Sequence, residues 1–402
     1  MSSAAAPRGR RRSPLHDGRL FQPRRPAFWL YVAVMLITGF VLVGEQSVFR
    51  RISPAGWALS WGLLLLYALP VFALVYVLDL YEREPISLVL GALAWGGIAA
   101  TTLSGFGNDG WGLVVARLGG PEFAARWTAA LTAPVVEETL KGLGVVLIGL
   151  IAADEIDDIM DGFVYGAVCG LGFAVVEDVF YFMGVFGGRP AGVLQGFFVR
   201  VVASGLYSHV LYTGLVGMSI GYFVSRRERR SIGRRVAVVA GLSAVAVLGH
   251  FLWNSPLLDL FPDSPLTGAE WAMIPVATAA KGLPLLVFVG LAVVLSRRRE
   301  RKWLRIALAS EVGSVGVSAH ELATLEEPRR RREAVRDMRR RAGGSAAGLL
   351  RRLQREQVNL AMIRSKVAED DPALLEQRAF CGSLRDALRA IPGAAPAEVG
   401  DR

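Results

Sequence analysis

Cysteine is nearly missing: of 402 residues only Cys169, in an apolar run, and Cys381, in a polar one, are cysteines. A disulfide framework and a cysteine-ligated zinc site are both excluded. The sequence contains no HExxH and no GxSxG, and no serine and lysine are spaced to act together as a nucleophile. Acidic residues are outnumbered, 35 Asp+Glu against 45 Lys+Arg, which gives a formal net charge of +10, almost all of it from arginine. Polar sequence is also scarce through the first three quarters. Hydrophobic residues make up 53% of the chain, and mean hydropathy is +0.41. That excludes an ordinary soluble domain, because only a bilayer is a compatible solvent for repeated long apolar runs.

Eight apolar segments follow one another, near 27–44, 57–78, 86–105, 130–152, 162–186, 197–224, 236–255 and 270–295. Each approaches or exceeds the ~20 residues that cross a bilayer as a helix. The expected fold is all-α: a polytopic transmembrane helical bundle of about eight spans with a small cytoplasmic helical tail. Three regions follow from this: a basic arm at 1–26, the bundle at 27–296, and an arginine-rich tail at 297–402, helical or partly disordered. The arginines lie in clusters beside the spans, at Arg8–Arg25, Arg226–Arg235 and from Arg297 onward, whereas Asn254–Glu270 has no basic residue. Such clusters mark cytoplasmic loops and contact anionic lipid, so nucleic acid is not an expected partner. An even number of spans puts both termini in the cytoplasm. The basic arm leads directly into a full-length span with no small-residue cleavage site, which reads as an uncleaved start.

Charged groups inside these spans need a reason, since each costs several kcal/mol in hydrocarbon. The fourth span carries Glu137, Glu138 and Lys141; one lysine can balance one glutamate on the same helix face, which leaves the other over. The fifth carries Phe173, Glu177 and Asp178, the sixth His209, and the seventh His250 with Asn254 one turn on. Singly, each has an ordinary explanation as a neutralised or satisfied core group. With the spans alternating in direction, however, Glu137, Glu138, Glu177, His209 and His250 all fall in the outer half of the bilayer, which points to one shared site.

Carboxylates and imidazoles together suit two schemes of peptide or amide hydrolysis. In one, a glutamate activates water while His and Asn polarise the carbonyl and hold its oxyanion. In the other, one zinc ion activates the water, held by His209, His250, Glu138 and Glu177. A proton relay in a proton-coupled transporter also uses these groups, as does a non-catalytic scaffold that keeps the fold. Transport predicts paired broken helices in two similar halves, and no internal repeat is present.

The motifs, in this order on four successive spans, resemble the PrsW family of intramembrane proteases, part of the larger group that includes the CAAX prenyl proteases. EExxK matches Glu137, Glu138 and Lys141; FxxxE matches Phe173 and Glu177; His209 follows; HxxxN matches His250 and Asn254. Asp79–Pro85, Asp161-Gly162, Tyr165-Gly166 and Gly170-Leu171-Gly172 add to the likeness, which covers about residues 70–255. Asp178 stands where the family often has Asn, and so adds a carboxylate. The resemblance implies cleavage in or near a transmembrane segment of another membrane protein, such as a single-pass anti-sigma factor, in a bacterial cytoplasmic membrane. It gives Glu137 and Glu138 the catalytic water, without deciding which is the base. His209, His250 and Asn254 would position water or the oxyanion, Glu177 would orient or ligate, and Lys141 would set the charge of the glutamate pair, with Asp178 and Phe173 in support.

The remaining features read as structural. Asp79, Glu82 and Glu84 form a turn at a membrane edge, and Asp154, Glu155, Asp157 and Asp158 a solvated loop. In the tail, one helix carries Leu350, Leu353, Leu360 and Val367 on a stripe; another starts after Asp371-Pro372 and carries Leu375, Leu384, Leu388 and Ile391.

Overall fold

The computed structural model describes residues 18–78, 84–152, 155–202, 209–227, 230–257 and 268–394. Asp79–Arg83, Asp154 and most of the basic arm therefore lie outside the described residues. The chain divides into two compact units, one ending at Ala292 and one beginning at Val293. Among the described residues there is no strand, only an isolated bridge between Val312 and Val317.

The first unit holds α1 (Pro26–Ile52), α2 (Pro54–Leu78), α3 (Ile86–Ala94), α4 (Thr101–Gly119), α5 (Pro121–Ile151), α6 (Ile159–Met183), α7 (Pro190–Phe197), α8 (His209–Ser225) and α9 (Ile232–Asn254). It also holds α10 (Gly268–Ala309) as far as Ala292. A π-helical turn, Trp95–Ala100, joins α3 to α4, and a second, Phe198–Val202, follows α7. Prolines open α1, α5 and α7, where their missing N–H would be unpaired in any case. Gly120 separates α4 from α5 at φ 82°, a backbone angle that side chains resist. Asp158 and Asp161 form a capping box on α6, so part of the acidic run caps a helix instead of forming a merely solvated loop.

Six described helices are long and apolar enough to cross a membrane, α3 and α4 counting as one of 34 residues. The expected third span, 86–105, is thus the first half of a longer helix. The other two expected spans correspond to α5, interrupted by Glu137, Glu138 and Lys141, and to α8, which is described from His209 onward. This is a polytopic membrane bundle.

α6 is buried along nearly its whole length, and the other helices pack around it. Its contact with α8 is backbone against backbone. A Cβ added at Gly162, Gly166 or Gly170 would lie 2.2 Å from the carbonyl oxygen of Gly217, Thr213 or His209 respectively. Only glycine, repeated every turn, permits this approach. The ladder brings the start of α8, and so His209, against α6. On its other side, α6 meets the first π-helical turn: a Cβ at Gly96 would lie 1.9 Å from the Cys169 carbonyl oxygen. Trp95 in that turn donates its indole N–H to the Leu140 carbonyl, 2.9 Å away, which pins α5 between Glu138 and Lys141.

The second unit holds the end of α10 with α11 (Ala319–Leu325), α12 (Pro328–Lys366) and α13 (Pro372–Arg389). Its own core includes Leu304, Leu308, Leu325, Leu353, Leu360 and Leu384. Leu375, expected on the buried stripe of the last helix, is exposed. α12 is two helical stretches that meet at a kink at Gly343, φ 84°. Glu311 is fully buried and accepts from both arms of the Arg378 guanidinium, at 2.8 and 2.7 Å.

Candidate active site

Pro134, inside α5, frees a backbone carbonyl one turn back and precedes Glu137 by three residues. From there Glu137, Glu138 and Lys141 project into the bundle, all three buried. Lys141 Nζ lies 2.5 Å from Glu138 Oε1, 3.6 Å from Glu137 Oε2 and 2.9 Å from His209 Nδ1. His209, the first described residue of α8, faces Glu177 Oε2 with Nε2 at 3.0 Å. His250, near the end of α9, faces Glu138 Oε1 with Nδ1 at 3.1 Å. Thr213, one turn after His209, donates to Glu138 Oε2 at 2.8 Å. Phe173 packs edge-on against His209, ring centroids 4.9 Å apart, and its face lies 4.2 Å below Lys141 Nζ. Four spans expected to meet do so here.

These partners set the tautomers. A carboxylate only accepts, so in the neutral rings His209 carries its proton on Nε2 and His250 on Nδ1. The unprotonated nitrogens, His209 Nδ1, which accepts from Lys141 Nζ, and His250 Nε2, then lie 3.9 and 3.8 Å from Glu137 Oε2. That oxygen is buried and has no hydrogen-bond partner among the described residues, whereas Glu137 Oε1 accepts from Asn108 Nδ2 at 3.1 Å. Glu137, His209 and His250 each place one ligand atom within 4.8 Å of the others'. Geometry thus groups Glu137 with the two histidines, while Glu138 and Glu177, expected as ligands, hydrogen-bond those histidines from behind.

Two expected residues are placed differently. Asn254 donates to the Ala129 carbonyl at 3.4 Å, tying α9 to α5 away from the cluster. Asp178 is buried and accepts from Arg200 Nε at 2.5 Å. Arg200, on the second π-helical turn, also reaches Glu177 Oε2 at 2.8 Å and lies 3.6 Å over the Tyr181 ring. Arg200, Asn108 and Thr213 were missed from sequence. Arg200 had a signal, an arginine within an apolar segment; Asn108 lay beyond the expected end of its span. Glu84, read as a cheap edge charge, is buried and takes the Tyr165 hydroxyl hydrogen bond.

A membrane bundle that buries carboxylates, a lysine and two histidines about one point belongs to the class of polytopic proteins with an intramembrane polar site. The particular family follows from comparison: residues 84–280 match the model of the PrsW family intramembrane metalloproteases, and the resemblance read from the motifs is thereby shown for that segment. Over 151 residues the chain is 27% identical to Protease PrsW of Bacillus subtilis (strain 168), covering 38% of this chain and 61% of that protein. The chain therefore spans less than two thirds of that relative's length. No solved structure matches.

Proposed function

We propose that this chain is an intramembrane metallopeptidase that hydrolyses a peptide bond in or beside a transmembrane segment of another membrane protein. The observation that carries the reading is the convergence of Glu137 Oε2, His209 Nδ1 and His250 Nε2, three possible ligand atoms all within 4.8 Å of one another. Acceptors grouped in a buried site repel unless a cation joins them; Lys141 Nζ stands between Glu137 and His209, and a divalent ion would join all three. One carboxylate and two imidazoles are zinc's preferred donors, and histidines backed by carboxylates are the usual second layer of such sites. Charge supports the fit: among the described residues Glu137 and Glu138 share Lys141, while Arg200 is divided between Glu177 and Asp178, a surplus that a divalent ion would offset.

A zinc ion held by Glu137, His209 and His250 would polarise the scissile carbonyl and lower the pKa of water. Glu138, the neighbouring carboxylate, takes the proton of the attacking water at Oε1. Thr213 and His250 hold that carboxylate in place, and Lys141 shares its charge. Lys141 is then the ammonium nearest the departing amine and supplies its proton. Phe173 and Tyr212 wall the point with ring surface, which strengthens each of these interactions. The substrate favoured by resemblance is a single-pass protein such as an anti-sigma factor. The location is a bacterial cytoplasmic membrane with both termini inside.

Metal analysis by mass spectrometry, with cleavage of a co-expressed single-pass anti-sigma factor from the same host, tests this. About one zinc per chain is expected in the wild type, lost in Glu137→Gln and in His209→Ala/His250→Ala. Glu138→Gln is expected to keep zinc and lose cleavage by ~100-fold or more. Full cleavage by metal-free protein would overturn the metal and leave Glu137 as the direct base; full cleavage by both glutamine variants would overturn the catalytic assignment.

A further inference from the structure

Resting on that reading, we propose that Arg200 is a positioning residue: its guanidinium fixes Glu177 so that Glu177 in turn fixes the ring of His209. Arg200 spans two adjacent carboxylates, Nε on Asp178 Oδ1 and NH2 on Glu177 Oε2. The Glu177 oxygen it holds is the same one that faces His209 Nε2. The guanidinium plane lies over Tyr181, which follows Glu177 by one helical turn, so the fork has a floor as well as two ends. The chain of contacts runs from the π-helical turn to α6, from α6 to α8, and ends at His209 Nδ1 facing Glu137. Planar, bidentate and always charged, arginine suits this in a way lysine does not.

A simpler role competes. Asp178 is the extra carboxylate of this chain, and Arg200 could serve only to neutralise it. The two roles differ in what a double substitution does. If Arg200 merely balances Asp178, Arg200→Gln should be repaired by Asp178→Asn. If Arg200 positions Glu177, the double variant stays impaired, because Glu177 still lacks its anchor.

Full-length Arg200→Gln, Arg200→Lys, Asp178→Asn and Arg200→Gln/Asp178→Asn are compared by cleavage kinetics and by 15N NMR of histidine-labelled protein. In the wild type, His209 is expected as a single tautomer protonated at Nε2. Arg200→Gln should lower kcat ~10- to 100-fold with KM nearly unchanged, the usual loss when a residue behind a ligand is removed. It should also move the His209 Nε2 resonance. Asp178→Asn should change kcat less than about threefold, and the double variant should match Arg200→Gln. Arg200→Lys should remain at least ~5-fold impaired, since its single ammonium cannot hold both acids. Rescue by Asp178→Asn, full activity in Arg200→Lys, or an unmoved His209 resonance in Arg200→Gln would each overturn the proposal. Failure of the peptidase reading shows differently: the wild type cleaves nothing, while the NMR comparison still decides whether Arg200 sets the His209 ring.

Discussion

The two units use the same residue types to opposite ends. In the tail, the buried Glu311 has both oxygens satisfied by one arginine, and the pair joins the turn after α10 to α13. In the bundle, Glu137 is as deeply buried, yet one of its oxygens has no hydrogen bond among the described residues and faces His209 Nδ1 and His250 Nε2 at 3.9 and 3.8 Å. A fully paired buried acid is a clasp. A buried acid with an oxygen outside any hydrogen bond keeps acceptor capacity that a low-dielectric interior makes costly to leave unused. Burial alone does not distinguish the two acids, since both are buried; their pairing does.

The largest expected effect strikes the scaffold of the bundle. Gly166→Leu would drive a side chain into the Thr213 carbonyl, which has nowhere to move. The cost should exceed the ~1–3 kcal/mol typical of overpacking, and the protein should purify aggregated or in poor yield. In the tail, Leu360→Ala empties a fully buried site, with ~2–5 kcal/mol lost; thermal unfolding of the tail should shift while metal content stays at the wild-type level. Smaller, and confined to chemistry, is Thr213→Val. It leaves Glu138 Oε2 without its donor, a loss of about 1–3 kcal/mol that should appear as a roughly tenfold fall in kcat with zinc retained. If Thr213→Val instead lowers stability with kcat intact, Glu138 is a clasp like Glu311 and the contrast fails.

The smallest effect concerns a surface pair of the tail. A hydrogen bond from Arg305 holds the Glu326 carboxyl below its ordinary value. A depressed carboxylate stabilises above its unfolded pKa of ~4.3, and that contribution fades as pH falls through the folded value. Glu326→Gln should remove this acid-side dependence from tail unfolding, at a cost below about 1 kcal/mol that vanishes in high salt.

Most of the site was legible in the sequence because charge in apolar sequence is conspicuous. Glu137, Glu138, Lys141, Glu177, His209 and His250 stood out singly, and alternating spans brought them to one level. Sequence left undecided which glutamate faces the histidines, because Glu137 and Glu138 differ only in what α4 and α8 offer them: Asn108 to one, Thr213 to the other. Asn254 shares a helix face with His250, yet its short amide meets a backbone carbonyl of α5 first. The 34-residue α3–α4 helix was cut short in the reading because glycine and polar residues after 105 mimic a loop, while the π-helical turn carries the chain through. The tail's core was only half visible, since arginine-rich helices bury a narrow stripe whose partners come from distant segments.

The glycine ladder between α6 and α8 has a consequence for the membrane around it. Where helices meet through side chains, a thinner or stiffer bilayer can tilt them and repack the seam. Here the rungs are backbone atoms, so the approach of α6 to α8 beside Glu177 and His209 has no side-chain layer that could repack. Activity measured across lipids of different chain length should therefore vary with how easily a substrate enters, reading out in KM, while the chemical step keeps one value.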